Sequence, residues 1–212
     1  MFCAHDLVIT RERCTLKGSF SFQKGDRIGF YAPSGTGKTT LLEAIAGFLP
    51  LDQGHFTLDG QNFSTVTPAK RPVSYLFQEG FLFEHLTVFK NAALAFGKTR
   101  LPEKEAQDIK DLLQKVSLGG VLGAKANTLS GGQKQRLGVA RCLLQKKEIL
   151  LLDEPFNGID ADTKKVLYDL LHEQNDTCLL FTTHHKEELS ALATSVLTLD
   201  NNVLRHKSLD DL

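Results

Sequence analysis

The sequence has no excess of charge of either sign: 25 Lys and Arg stand against 25 Asp and Glu in 212 residues. That balance argues against the basic footprint of a nucleic-acid binder and the acidic tail of a chain that recruits a basic partner. Paired cysteines are missing as well. Cys3, Cys14, Cys142 and Cys178 are scattered and form no CxxC, so neither a zinc site nor a disulfide framework is expected, and free thiols fit a reducing cytosol. No apolar run approaches the roughly 18 residues needed to span a bilayer. The early Asp6 and the lack of a long apolar region near it give no expectation of a signal peptide. Any membrane role is therefore expected to come through a partner. Internal repeats and low-complexity segments are also absent. The length allows one α/β domain, or a core with a subdomain inserted in it, and is enough to bury a sizeable core.

What is present centres on Ala32-Pro33-Ser34-Gly35-Thr36-Gly37-Lys38-Thr39-Thr40. The apolar run Ile28-Gly29-Phe30-Tyr31 before it reads as a short buried strand. Leu41-Leu42-Glu43-Ala44-Ile45-Ala46 after it reads as a helix that stops at Gly47. Strand, glycine-rich turn and helix form the context of a phosphate-binding loop. Glycines let the backbone curl so that several N–H groups point inward, and the free N–H groups and dipole of the helix start add positive potential. Lys38 supplies a full charge for the outer phosphates and Thr39 a hydroxyl for Mg²⁺. Ala32 stands where the pattern usually has its first glycine, and a small local adjustment is expected there.

Residues 1–31 read as strands around Leu7-Val8-Ile9 and Phe20-Ser21-Phe22, with a turn at Lys24-Gly25-Asp26. Further strands are expected at His55-Phe56-Thr57-Leu58 and Val73-Ser74-Tyr75-Leu76-Phe77. Residues 79–129 change character. Leu86, Phe89, Ala93 and Phe96 have helical spacing, and a second helix starts at Pro102-Glu103-Lys104-Glu105 with a stripe of Ile109, Leu112, Leu113 and Val116, stopped by Gly119-Gly120. This block reads as a helical subdomain (79–129) inserted in a catalytic core made of residues 1–78 and 130–212. After it come a helix from Ser130 to about Gln145, a strand over 148–152, a helix from Asp160, a strand over 178–183, a helix from Lys186 and a terminal hairpin. The alternation predicts an α/β fold of the P-loop NTPase type, with a mainly parallel sheet, helices on both faces and an antiparallel N-terminal β region.

Asp153 ends the apolar strand Ile149-Leu150-Leu151-Leu152. A carboxylate at the C-terminal edge of such a strand, beside a phosphate loop, is placed to hold Mg²⁺ through water. Side chains alternate along an extended chain, so Glu154 points differently and can face an attacking water as general base. Gln78 ends another strand. Its amide can accept from water and donate to phosphate or metal-bound water, although a glutamine in a loop is unremarkable alone. Leu129-Ser130-Gly131-Gly132-Gln133 places a serine and two glycines at a helix start with capping-box spacing, which makes a second anion site without a lysine. Two phosphate-binding helix starts on one chain can grip one nucleotide only if two chains face each other head to tail.

These residues carry a resemblance. The phosphate loop, Gln78, the stretch from Leu129 to Gln133, the strand into Asp153-Glu154, and His184 occur in the order of the ATP-binding cassette (ABC) ATPase family, and the resemblance covers essentially the whole chain. It implies an ATP sandwich dimer, with each nucleotide between the phosphate loop of one subunit and Ser130-Gly131-Gly132-Gln133 of the other. It also implies that His184 contacts the γ-phosphate and holds Glu154 and the water, while His185, where the family often has aspartate, is a surface residue. Arg71-Pro72-Val73-Ser74-Tyr75-Leu76-Phe77-Gln78-Glu79, then Leu82-Phe83-Glu84-His85-Leu86-Thr87-Val88 and Asn91, is similar to thiamine-importer ATPases and their iron, sulfate and molybdate relatives. The chain ends soon after its last strand, so no C-terminal regulatory domain is expected.

Two departures from the family stand out. At residues 157–160 the family usually has Ser-Ala-Leu-Asp; here Asp160 is kept, as a nucleotide-side residue, but Asn157 and Gly158 replace the first two, which bears on subunit contacts. The aromatic that usually stacks on adenine after the first strand is missing from Ile9-Thr10-Arg11-Glu12-Arg13. Arg11, then Arg13, is the planar substitute, and a plain solvated role for both is the alternative. The resemblance implies the ATP-hydrolysing subunit of an importer, with ATP and Mg²⁺, a second copy of the subunit, transmembrane permease subunits and, indirectly, a solute-binding protein, at the cytoplasmic face of the membrane. Residues 79–91 are expected to form part of the permease groove, unless Phe81, Leu82 and Phe83 are core. An exporter or lipid-extraction ATPase shares this chemistry. A DNA-repair or ribosome-associated ATPase would need a coiled coil, a tandem cassette or basic patches. A small-molecule P-loop kinase would leave Ser130 to Gln133 unexplained.

Overall fold

The computed structural model describes residues 1–11, 14–78 and 82–211. Two long strands, β1 (Phe2–Arg11) and β2 (Cys14–Phe22), form an antiparallel pair. The apolar Leu7-Val8-Ile9 run marks only the middle of β1. The strand extends to Phe2 because the pairing shifts register between Ala4 and Leu7, where Asp6 takes a left-handed φ of 45° and absorbs an extra residue as a bulge. Next come β3 (Arg27–Tyr31), helix α1 (Lys38–Ala46), β4 (Gln53–Leu58), the short β5 (Gln61–Asn62) and β6 (Val73–Leu76). Helices α2 (Val88–Ala93), α3 (Glu103–Lys115) and α4 (Gly131–Leu144) precede β7 (Ile149–Leu152). The chain then runs through α5 (Ala161–His172), β8 (Cys178–Thr183), α6 (Lys186–Leu192), β9 (Ser195–Asp200) and β10 (Val203–Lys207).

The strands form one ten-stranded sheet in the order β5-β4-β1-β2-β10-β9-β3-β8-β7-β6. Its centre is parallel: β3 pairs with β8 and β9, and β8 with β7. Every residue of β7 and β8 is buried, as expected of parallel strands covered on both faces. The N-terminal side is antiparallel, and Phe2, Phe20, Phe22, Phe56 and Phe63 pack beneath it with ring centroids 4.9 to 6.1 Å apart. Each such aromatic pair contributes about 0.5–1.5 kcal/mol beyond its buried area.

Helix α1 is anchored at its far end. Gly47 takes φ 91° and returns its N–H to Glu43 and Ala44, the left-handed stop of a helix. Arg71, 6% exposed, donates to the carbonyls of Ala44 (2.9 Å), Ile45 (2.7 Å), Val66 (2.9 Å) and Ser64 (2.5 Å). A guanidinium thereby supplies donors to the last carbonyls of the helix, Ala44 and Ile45, and complements the negative end of the dipole.

The chain divides into two compact units. The first comprises Met1–Tyr75, Lys147–Glu154 and Gln174–Leu212; the second comprises Leu76–Lys146 and Pro155–Glu173. Residues 82–129 fall in the second unit. So do α4 and α5. Within this unit α4 runs against α2 and α3, and Lys115 pairs with Glu173 at 3.8 Å. The helix expected from the spacing of Leu86, Phe89, Ala93 and Phe96 is shorter. Thr87 caps it by accepting the Lys90 N–H at 3.2 Å, so it starts at Val88, and its last turn tightens to a 3₁₀ turn over Leu94–Phe96. Helix α3 stops before Gly119: Val116 ends it and Ser117 takes φ 59°. No helix among the described residues is long and apolar enough to cross a membrane.

Candidate functional site: a nucleotide pocket at the parallel strand ends

Strand β3 delivers the chain to the loop at residues 32–37, and α1 starts at Lys38. Gly35 and Gly37 take φ 77° and 104°, which L-residues adopt only with strain. At Gly37 the constraint is also spatial: a Cβ there would lie 2.5 Å from Cys14 Sγ. The Cys14 thiol donates to the Thr36 carbonyl at 3.2 Å, and burial pushes its pKa up, so it backs the loop as a neutral thiol. Ala32 is buried and is not among the residues at positive φ, so its methyl group needs no glycine conformation. The Thr36 hydroxyl donates to the Pro33 carbonyl at 2.7 Å. Ser34 is exposed and Thr40 buried.

Lys38 is buried and donates to the carbonyls of Ala32 at 2.7 Å and Pro33 at 3.1 Å. Burial lowers its pKa, and the carboxylates of Glu154 and Asp153 oppose that shift. The Thr39 hydroxyl donates to Asp153 Oδ2 at 2.6 Å, and the Thr182 hydroxyl to Asp153 Oδ1 at 2.6 Å. Asp153 is 1% exposed. Burial raises its pKa, and the two threonine hydrogen bonds pull the other way. The Glu154 N–H donates to Thr182 Oγ1 at 2.8 Å, and Glu154 takes φ 47°. Its Oε1 stands 3.8 Å from His184 Nδ1. The His184 and His185 rings lie 4.0 Å apart and tilted by 39°, and His185 is exposed. Behind them the Thr183 hydroxyl donates to the buried Glu188 Oε2 at 2.6 Å and accepts the His185 N–H at 3.0 Å.

The first unit thus brings Lys38, Thr39, Asp153, Glu154 and His184 together, and Thr182 links them. Neither Thr182 nor Thr183 was singled out from the sequence, although two threonines closing an otherwise apolar strand were the available signal. Arg11 also lies in this unit, and its guanidinium is paired with Glu43 of α1. Arg13 lies outside the described residues.

The second unit holds Gln78, two residues beyond β6, together with Ser130 to Gln133. The capping box is formed: the Gln133 N–H donates to Ser130 Oγ at 3.3 Å and the Ser130 N–H to Gln133 Oε1 at 2.9 Å. A Cβ on Gly131 would meet open space, but one on Gly132 would lie 2.7 Å from the Gly158 carbonyl oxygen. Asp160 caps α5 by accepting from the Thr163 N–H at 2.9 Å and hydroxyl at 2.7 Å. Those bonds hold its carboxyl below the usual range.

The glycine loop, the buried lysine and the two carboxylates at the ends of the parallel strands sit on the fold of an ATP-binding cassette, which two solved structures share. The chain belongs to the ABC transporter family, whose model its residues 17–157 match. It is 40% identical over 203 residues to the thiamine import ATP-binding protein ThiQ of a Ruegeria species, covering 94% of this chain and 88% of that protein. It is 39% identical over 205 residues to the protein of the same name from Haemophilus influenzae, covering 95% of each. Two solved structures share the fold. One is a nucleotide-free ATP-binding cassette from an ABC transporter, with a TM-score of 0.84 at 20% identity over 100% of this chain and 92% of that one. The other is a dimeric cassette in a post-hydrolysis state bound to ADP and Pi, with a TM-score of 0.85 at 22% identity over 99% of each chain.

Proposed function

We propose that the solute moved by this chain's ATP hydrolysis is thiamine or a close chemical relative. The chain is the ATP-hydrolysing subunit of an ABC importer. The thiamine assignment draws support from relatives named for thiamine import, similar over 94% and 95% of the chain. In this reading both units serve one ATPase domain, and it works at the cytoplasmic face of the membrane against transmembrane permease subunits that receive solute from a binding protein. A second copy completes each nucleotide site with Ser130, Gly131, Gly132 and Gln133.

The observation that carries the chemistry is the pairing of Glu154 with His184 at 3.8 Å, one residue from a carboxylate bonded to the Thr39 hydroxyl. Loop amides and Lys38 bind the β- and γ-phosphates. Mg²⁺ fits the donor set: a hydroxyl and a carboxylate oxygen within 2.6 Å of each other are hard oxygen ligands of the kind it takes. Thr39 and Asp153, with Gln78, would hold it, and when bound it neutralises phosphate charge. Glu154 takes a proton from water as the water oxygen attacks the γ-phosphorus and the bond to the β-phosphate oxygen breaks, leaving ADP and phosphate. His184 orients Glu154 and donates toward the γ-phosphate. ATP binding closes the dimer and hydrolysis reopens it.

Glu154→Gln should lower turnover by roughly 10²–10⁴ with ATP binding intact, and should accumulate an ATP-dependent dimer on size exclusion. Wild-type turnover in that variant would remove Glu154 as base. Proteoliposomes holding the subunit and its permease, supplied with binding protein, should accumulate thiamine only with ATP. Uptake of another solute with no response to thiamine would refute the solute assignment.

A further inference from the structure

We propose that Thr182 is a positioning residue for hydrolysis, its hydroxyl holding the Asp153 carboxylate and the Glu154 backbone in one fixed arrangement. The proposal rests on the reading of Glu154 as the base. Thr182 is 0% exposed near the end of β8, where Cys178, Leu179, Leu180 and Phe181 fill the preceding positions. A buried hydroxyl in that setting needs partners, and it has two: it lies 2.6 Å from Asp153 Oδ1 and 2.8 Å from the Glu154 nitrogen. The direction of the proton follows. An ionised carboxylate only accepts, so the hydroxyl donates to Asp153 and its lone pair receives the Glu154 N–H.

The second bond falls on a strained residue. Glu154 has φ 47°, a left-handed backbone that a residue with a side chain adopts only where its surroundings enforce it. In an extended strand Glu154 would simply point away from Asp153. The left-handed step redirects it, and its carboxylate comes within 3.8 Å of His184. Thr182 ties this step to the neighbouring carboxylate, so the base and the Asp153 group share one support. Thr183 does not duplicate it. The Thr183 hydroxyl serves Glu188 and the His185 N–H, which supports the histidine turn instead. Two adjacent threonines therefore brace the two turns that meet in the pocket.

Valine has threonine's shape without the hydroxyl, and serine keeps the hydroxyl. Thr182→Val should lower kcat between about ten- and a hundredfold, the scale of a small misplacement of a reacting group, with the KM for ATP within about twofold of wild type. Thr182→Ser should restore kcat to within about threefold. Glu154→Gln runs alongside as the control on the reading beneath. If Glu154→Gln is slow and Thr182→Val turns over at the wild-type rate, the Thr182 proposal alone falls. If Glu154→Gln is itself at the wild-type rate, the base reading falls and takes the proposal with it. Equal losses in the valine and serine variants would make Thr182 a packing residue and overturn the proposal. Should Thr182→Val fail to bind ATP, Thr182→Ala against Thr182→Ser decides on the same terms: a slow alanine with an active serine supports the role of the hydroxyl, and equal rates overturn it.

Discussion

Arg71→Met should destabilise the protein by about 3–4 kcal/mol. Methionine keeps much of the stem but removes the guanidinium, whose Cζ lies 5.7 Å from the Phe63 ring centre, and with it the donors to four carbonyl oxygens. Hydrogen bonds from a charged donor contribute about 1.5–3 kcal/mol each, so a plain sum would pass 6 kcal/mol on the same scale. The sum overshoots because the Ala44 carbonyl keeps the Gly47 N–H at 3.2 Å, and because neighbouring bonds from one side chain do not add. For a chain of this size the loss corresponds to a fall in Tm of roughly 6–16 °C. Urea melts checked for an unchanged slope give the free energy directly. Arg71→Lys should recover less than half of it, since a point ammonium cannot reach oxygens arranged around a planar fork. Stability within about 1 kcal/mol of wild type in Arg71→Met would refute the reasoning, because even one orphaned buried carbonyl costs that much.

Arg11→Ala should weaken ATP binding several-fold while inorganic triphosphate still binds, because the pair with Glu43 holds the guanidinium in place beside α1; equal ATP affinity in variant and wild type would leave Arg11 a surface residue. Phe83 is 51% exposed, so Phe83→Asp should leave Tm within about 2 °C of wild type, as exposed substitutions do, and should uncouple transport while sparing basal ATPase activity. Unfolding of that variant would make Phe83 core; Phe81, named with it, lies outside the described residues. Burial pushes the Cys178 thiol up to about 12, so at pH 8 it stays protonated and should react with Ellman's reagent only after unfolding in urea. Rapid labelling of Cys178 in the native protein would contradict its burial.

Contiguous motifs were legible in the sequence because each is a local physical device. The phosphate loop, the Asp153-Glu154 strand end and the Ser130–Gln133 capping box all involve residues that solve a problem within a few positions of themselves. What escaped depends on distance along the chain. Thr182 matters through partners 28 and 29 residues away, and nothing in a threonine announces that. The left-handed Glu154 has no glycine to mark it. The end of α3 was misplaced for a related reason: the sequence offers Gly119-Gly120 as the stop, while Ser117 takes the left-handed conformation first. Asp160 was expected beside nucleotide, and within its own chain its carboxylate caps α5.

Gly158 is where redesign toward the family average would go astray. That average has alanine at this position. Space alone would allow it, since a Cβ on Gly158 meets nothing within 4 Å. The backbone would not: φ is 68°, and an alanine held there costs about 1–2 kcal/mol. The strain is relieved only by rotating the peptide, and the carbonyl that would move is the one lying against Gly132. The two glycines are therefore epistatic partners. Alanine at 158 would be felt at the signature helix start as well as at the position changed.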